Sequence, residues 1–346
     1  MKRLIILFLF FAIVDAVVAQ DFHYSQFYNS PLNINPAKTG IFNGDKRVNL
    51  SYRNQWASIV PWTTFTGSYD MKFYPKKDKD YFFSGGVLLN YDSQQSIGDL
   101  NLFNVNLTGS YTRILNENNL LTGGILLGFA NRAVDLTTQR WDAQWDGVAF
   151  NPTFDPNEVI NARSTSFLET GLGLNYRWQK SRRTKVDIGL GVFHVASPNV
   201  AFRDDLEDIS LPSRFSLTGL GSFQLAEKFD LQLNALGQFQ GASTVVTVGG
   251  LGKIHVNQQR GKETELHLGV GYRTTGTIWP ILAVQYQNFY VSASYDISVG
   301  TFSDVNDVIA GGNTGVRHRP STFELHFTYI ITDVKPFKKV KVCPIF

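Results

Sequence analysis

The sequence is short of several things, and each shortage removes a class of protein. A single cysteine, Cys343, among 346 residues excludes an intrachain disulfide and any multi-cysteine metal site. Charged residues make up only 18% of the chain, below the quarter or so usual in soluble globular proteins. The formal net charge is +3 and no basic helix or phosphate-cradling loop is present, so nucleic acid is not expected as a partner. No long apolar run follows residue 20, so no transmembrane helix is expected beyond it. His23, His194, His255, His267, His318 and His326 stand singly, none at metal-ligand spacing from another. A Gly-x-Ser-x-Gly elbow is also missing.

What the chain does have is glycine and aromatics, with 30 Gly, 27 Phe and 14 Tyr. An aromatic content of 14% excludes intrinsic disorder, and beside so little charge it points to many strands. Residues 1–19 read as an export signal. Lys2 and Arg3 lead an apolar run from Leu4 to Val14, and Val17 and Ala19 supply small residues for cleavage near Ala19. That run is too short for a resident membrane helix, which needs about 20 residues.

Period-two alternation dominates the remainder. Leu168, Leu172, Leu174, Tyr176 and Trp178 share one face, with Glu169, Gly171, Gly173, Asn175 and Arg177 on the other, as successive side chains of a strand do. Leu266, Leu268, Val270 and Tyr272 oppose Glu263, Glu265, His267 and Arg273, and Phe323, Leu325, Phe327 and Tyr329 oppose Glu324, His326 and Thr328. Soluble sandwiches alternate too. These runs, however, last about ten residues or more, where soluble strands average about five or six and a tilted membrane-crossing strand needs roughly 9–11. Aromatics at the run ends match the interfacial girdles of outer-membrane barrels.

About fourteen runs are present, an even number as bacterial single-chain barrels require. They span 46–56, 63–74, 81–93, 99–114, 119–133, 165–179, 184–196, 212–226, 229–240, 243–256, 262–274, 278–287, 289–300 and 321–332. A shift of apolar positions around Phe103 reads as a bulge. Links after even-numbered runs are short and charged, whereas those after odd-numbered runs include 134–164, 197–211 and 301–320. That division suits tight periplasmic turns and longer external loops, and it places both termini in the periplasm. The expected fold is all-β: a single transmembrane antiparallel β-barrel of about 14 strands over 46–332, surrounded by outer-membrane lipid. An N-terminal plug or clasp segment, 20–45, precedes it and a periplasmic tail, 333–346, follows.

Two segments fall outside the alternation. Residues 20–45 are dense in turn formers and carry His23, Tyr24, Gln26, Phe27, Tyr28, Asn35 and Pro36. A lumen of fourteen strands leaves a hole unless filled, so the segment is either a plug in the periplasmic mouth or an ordered leader along the rim. The link 134–164 holds Trp141, Asp142, Gln144, Trp145, Phe150 and Phe154. A loop that long and aromatic is either a binding loop or lid, or a packed loop with its own small core.

The stretch Gln20-Asp21-Phe22-His23-Tyr24-Ser25-Gln26-Phe27-Tyr28, then Pro31-Leu32-Asn33 and Asn35-Pro36-Ala37-Lys38-Thr39-Gly40, resembles the opening signature of PorP/SprF proteins. Arg53-Asn54-Gln55-Trp56, Gly67-Ser68-Tyr69-Asp70, Trp141-Asp142-Ala143-Gln144, Phe323-Glu324-Leu325 and Val342-Cys343-Pro344 fit as well. Phe22 departs from the pattern, the family usually having proline there. The resemblance implies an outer-membrane protein of the type IX secretion system, with a barrel akin to long-chain fatty-acid transporters. It also implies periplasmic and outer-membrane secretion components as partners, together with a secreted gliding adhesin carrying a type IX C-terminal domain.

No cofactor or metal is expected, and no catalysis. Glu263, Glu265 and His267 share a strand face, but polar side chains toward a wet lumen explain them more simply. The glycine pairs Gly171/Gly173, Gly189/Gly191 and Gly269/Gly271 either make room for a plug or relieve crowding at bends. Basic residues at the short turns and in the tail keep a rim wet or dock a periplasmic partner. The expected role is a non-enzymatic secretion component that binds and helps secrete or anchor an adhesin. The alternative is a barrel for uptake of hydrophobic small molecules, and a plain diffusion porin comes third.

Overall fold

The alternating runs become strands long enough to cross a bilayer, and with both faces of each strand committed the sheet closes on itself. A computed structural model describes residues 21–57, 60–75, 80–94, 100–135, 141–155, 157, 164–202, 209–299, 305–306, 317–318 and 320–332. The export signal, the tail with Cys343, Lys76, Lys77, Lys79 and the acidic group 204–208 lie outside these residues.

The barrel strands are β1 Lys46–Gln55, β2 Trp62–Phe73, β3 Tyr81–Gln94, β4 Leu100–Asn116, β5 Asn119–Ala133, β6 Ser164–Gln179, β7 Lys185–Phe193, β8 Arg214–Ala226, β9 Phe229–Gln240, β10 Ser243–Asn257, β11 Thr264–Arg273, β12 Thr277–Tyr286, β13 Phe289–Ser298 and β16 Ser321–Ile331. Neighbours in sequence pair antiparallel and β1 closes on β16, giving a closed 14-strand barrel. In the last loop β14 Val305–Asn306 pairs with β15 Arg317–His318. The helical elements among the described residues are four single 3-10 turns.

Outward positions carry Leu107, Ile125, Leu127, Leu172, Leu174, Leu217 and Val270, all exposed on the isolated chain. Aromatics flank this band: Phe83, Tyr111, Tyr286 and Phe289 toward the end closed by short turns, and Tyr91, Phe239, Tyr272 and Tyr295 toward the end carrying the long loops. This is the outer surface of a barrel that faces lipid between two interfaces. The inner face is polar, with Asn90, Asn106, Asn175, Asp187, Ser292, Glu324 and His326 buried.

The strand registers correct the sequence reading in places. No bulge occurs at Phe103: β3 and β4 pair without interruption from Tyr81↔Arg113 to Gln94↔Leu100. Leu102 is simply an apolar residue on the inner face, packed against Ala130, Phe167, Val200 and Leu211. The bulges lie elsewhere, between Ile114 and Asn116, Gln224 and Ala226, and His255 and Asn257, all at the short-turn end. Strand β7 stops at Phe193 rather than 196, where His194 and Ser197 take φ of +54° and +43°, a left-handed backbone that cannot continue a ladder. The paired positions along β12 and β13 skip Trp279 and Pro280, and proline has no N–H to offer.

Residues 21–45 run inside the barrel. Lys46 opens β1 at the short-turn end. At the other extremity Asp21 donates its backbone N–H to Gln240, the last residue of β9, and ion-pairs with Arg214, the first of β8, so it stands at the long-loop end. The strand ends of the barrel share one side, as an even count demands. The segment before β1 nevertheless traverses the lumen, and Asp21 is not at the periplasmic mouth where the turn rule placed the N-terminal region.

Candidate functional site: the occupied lumen and the aromatic loop

The traverse consists of three consecutive 3-10 turns, Phe27–Asn29, Pro31–Asn33 and Pro36–Lys38. Pro31 and Pro36 sit at first helical positions, where the missing N–H costs nothing. Asn35 caps the third turn, its side chain accepting from the Ala37 N–H at 2.8 Å and donating to the Leu174 carbonyl at 2.9 Å. Such short turns leave many backbone N–H groups without partners of their own, and the barrel wall supplies acceptors. Glu324 on β16 accepts the N–H of Ser25 at 2.6 Å and of Gln26 at 3.0 Å, and Asp70 on β2 accepts the N–H of Gly40 at 2.7 Å.

The charges come in balanced groups. Arg53 pairs with Glu324 at 3.3 Å and donates to the His23 carbonyl. His326 lies 3.3 Å from Glu324 and 2.8 Å from the Ser51 hydroxyl. Arg273 donates to the Ser25 hydroxyl, which in turn donates to Asp296. Arg47–Asp70 and Arg177–Asp187 are close pairs at 2.8 Å. At the long-loop end His194 bridges Asp21 (2.6 Å) and Glu169 (2.9 Å). Burial alone lowers the pKa of His194, but the carboxylates of Asp21 and Glu169 together outweigh it and raise it to about 9. Burial likewise raises Asp21, and Arg214 and His194 overcome it, holding the carboxyl below its ordinary range. His23 is lowered by burial and then by Arg273 and Arg53.

Apolar packing completes the fit. Phe27 and Ile34 meet Leu236, and Leu32 meets Leu88, Leu126 and Phe193. Tyr28 packs against both the first group and that of Leu251, Trp279 and Ile281. The wall gives way where the backbone comes closest: a Cβ on Gly124 would lie 2.5 Å from the Pro36 carbonyl carbon, and one on Gly173 would overlap the Asn35 side chain. Of the expected glycine pairs, Gly173, Gly189 and Gly191 thus face the segment, whereas Gly171 meets Leu126 and Phe193, and Gly271 meets the Trp279 ring.

The aromatic loop is organised around Gln144, which is buried. Its side chain accepts from the Trp141 N–H and donates to the Phe154 carbonyl, while its own carbonyl accepts from Asn151. Trp145 bridges to Phe150. Asp142 is exposed, and Trp145, Val148 and Phe154 are 57%, 86% and 43% exposed, so the loop presents apolar side chains rather than burying them. The acid–base candidates separate: Glu263 lies outside β11, bonded to the Gly261 N–H, while Glu265 links His267 (3.0 Å) and His255 (3.3 Å), and His255 meets Asp230 at 2.9 Å. That chain of alternating acids and imidazoles is a hydrogen-bonded lumen network.

A family model described as "Type IX secretion system membrane protein PorP/SprF" matches residues 16–309. The chain belongs to the PorP/SprF family. Comparison with curated proteins finds no match. Similar solved structures include the Ralstonia pickettii toluene transporter TbuX (TM-score 0.50, 9% identity, covering 88% of this chain and 94% of that one) and the TodX monoaromatic hydrocarbon channel deltaS2 mutant (TM-score 0.50, 9% identity, covering 87% and 93%). At such identity the likeness speaks for the barrel fold alone. This PorP/SprF protein is therefore an outer-membrane β-barrel component of the type IX secretion system.

The quoted family residues have distinct places in this PorP/SprF barrel. Arg53 faces the lumen and holds the segment, Gln55 ends β1, and Trp56, with φ +54°, turns out at the rim, 40% exposed. Sequence reasoning missed Glu169, His194, Arg214, Arg273 and Asp296 as contacts of the segment. The available signal was a charged residue on a strand's inner face, which needs a partner.

Proposed function

We propose that this PorP/SprF barrel is a binding platform rather than a conduit: residues 21–45 plug the lumen, the external aromatic loop holds the C-terminal domain of a secreted adhesin, and the short-turn end docks on periplasmic secretion components. The supporting observation is the occupied lumen. A segment tied to the wall by Glu324, Asp70, Asp21 and Asn35 is not readily displaced by diffusing solutes. With passage disfavoured, function falls to the surfaces, and one external loop exposes three large apolar side chains, Trp145, Val148 and Phe154, as partner sites do.

Deletion of the protein is expected to leave the adhesin unsecreted or shed, and Trp145→Ala with Val148→Asp to release it while the barrel still assembles. Surface display measured by antibody on intact cells decides, and normal display in the deletion strain refutes the reading. Uptake of hydrophobic molecules would follow the names of TbuX and TodX. The cavity of about 420 Å³ at the short-turn mouth, however, is lined by Lys72, Arg177 and Arg182 as well as Phe42 and Phe82, a poor match to hydrocarbon.

A further inference from the structure

We infer that the short-turn mouth of the lumen is a receptor for an acidic peptide segment of a periplasmic partner. This rests on the docking half of the reading above and gives it a site. The cavity of about 420 Å³ is bounded by the Gly40–Asp45 turn and by Lys72, Tyr74, Phe82, Arg177 and Arg182.

Its charge is unbalanced. Asp70 is taken by Arg47 and the Gly40 N–H, and Asp187 by Arg177 and Asn175. Of the cations in the lining, Lys72 donates to the Phe42 carbonyl and lies over the Phe42 ring at 4.7 Å, with the carboxylates of Asp45 and Asp70 in coulombic reach, and Arg182 stands on the exposed turn. Among the described residues no carboxylate comes within ion-pair distance of Lys72. With Arg177 paired to Asp187, Lys72 and Arg182 outnumber Asp45 at the lining, and an entering anion meets the excess positive charge.

Geometry favours a peptide over the other anions. The strand residues of the lining stand on the inner face of β2, β3, β5 and β6, while the lipid-facing positions beside them are Phe73, Phe83 and Tyr176, so a phospholipid headgroup would have to leave its leaflet to enter. A water claims about 30 Å³ of liquid volume, so a phosphate ion would leave most of the cavity wet. An extended segment of a few residues fills it, its side-chain carboxylates reaching Lys72 and Arg182 and its apolar atoms meeting Phe42 and Phe82.

The test is fluorescence anisotropy of a fluorescein-labelled hexaglutamate peptide titrated with the full-length protein in detergent. Saturable binding is expected, absent for hexaglutamine, weakened about tenfold by Arg182→Glu or Lys72→Gln and unchanged by Trp145→Ala. Arg182 lies on an exposed turn, so Arg182→Glu keeps the test valid should Lys72→Gln fail to assemble. Binding that ignores both substitutions overturns the assignment. So does equal competition by inorganic phosphate at constant ionic strength, or by phosphatidylglycerol vesicles, which would make the site one for small anions or for lipid. The titration needs no adhesin: its failure refutes the receptor alone, whereas normal display in the deletion strain refutes the adhesin reading alone.

Discussion

Replacing Glu324 by glutamine keeps the size of the side chain and removes its charge, and the structure says where the loss falls. Glu324 is fully buried and serves four groups: the N–H of Ser25 and Gln26, Arg53 and His326. Hydrogen bonds to a charged acceptor contribute about 1.5–3 kcal/mol each, against about 0.5–1.5 for neutral ones, so two of them lose roughly 2 kcal/mol together. Arg53 loses its carboxylate as well, although the His23 carbonyl still accepts from it. A net loss of about 3 kcal/mol in docking follows, below the cost of about 3–5 kcal/mol for orphaning a fully buried charge. At 1.4 kcal/mol per tenfold, the undocked fraction of the segment rises by roughly two orders of magnitude. The assay uses Cys343→Ser with a reporter at Ser30→Cys, a near-isosteric change at a buried position, and follows maleimide labelling in proteoliposomes. Glu324→Gln should speed labelling by about a hundredfold while the barrel keeps its heat-dependent gel migration. Labelling within about twofold of the parent would refute the argument that Glu324 anchors the segment.

Three further outcomes follow from the same contacts. The clasp of His194 on Asp21 has a pH window: the raised pKa of about 9 means that its contribution is complete below the ordinary histidine value and disappears as pH rises through about 9. The depressed carboxyl of Asp21 contributes above the ordinary aspartate range and is lost in strong acid. With Glu169 and Arg214 as the other charged neighbours and His23 neutral beside them, a spin label at Phe22→Cys in the Cys343→Ser background should be immobile at pH 6 and mobile at pH 10, and equal mobility would count against the clasp. Gly173→Leu drives a side chain into the space of Asn35 and Ala37, so planar-bilayer recordings should show open events that the parent lacks. Leu172→Arg, on the lipid face, should cost about 2–4 kcal/mol in guanidinium unfolding from liposomes, and no loss would mean that this face does not meet lipid.

Much of the barrel was legible because alternation over ten or more residues admits one placement of each side chain. The spans 119–133 and 229–240 coincide with β5 and β9 at both ends. Ends set by backbone rather than pattern were not legible, as at His194 after β7, nor was an apolar residue such as Leu102 that points inward. The segment 21–45 was visible only as a failure of alternation. Its partners are remote, Asp21 meeting His194 and Ser25 meeting Glu324, and no local spacing encodes such pairs. One signal was present but needed registers to read. Gly124 pairs with Gly173, and Gly173 with Gly191, so three glycines form a row across β5, β6 and β7 in which Asn35 and Ala37 lie.

The position of that segment also bears on how the barrel holds shut. Strands β1 and β16 pair across the whole length of the barrel sequence, whereas every other pair adjoins in sequence or across a single loop. Their ladder runs from Lys46↔Ile331 to Gln55↔Thr322, and the segment ties both sides of it from within: Glu324 and His326 of β16, Arg53 of β1, and Asp70 of β2 all converge on residues 21–40 or on one another. A plug that merely fills space would contact the wall anywhere, with apolar atoms sufficient. Here the charged acceptors of the segment, Glu324, Asp296 and Asp70, lie on β16, β13 and β2, beside the closing pair, where a lost ladder bond would leave backbone groups unpaired in lipid. Loosening the segment should therefore lower the stability of the β1–β16 seam before that of the β4–β5 wall, and hydrogen exchange of amides in those two regions of Glu324→Gln measures the difference.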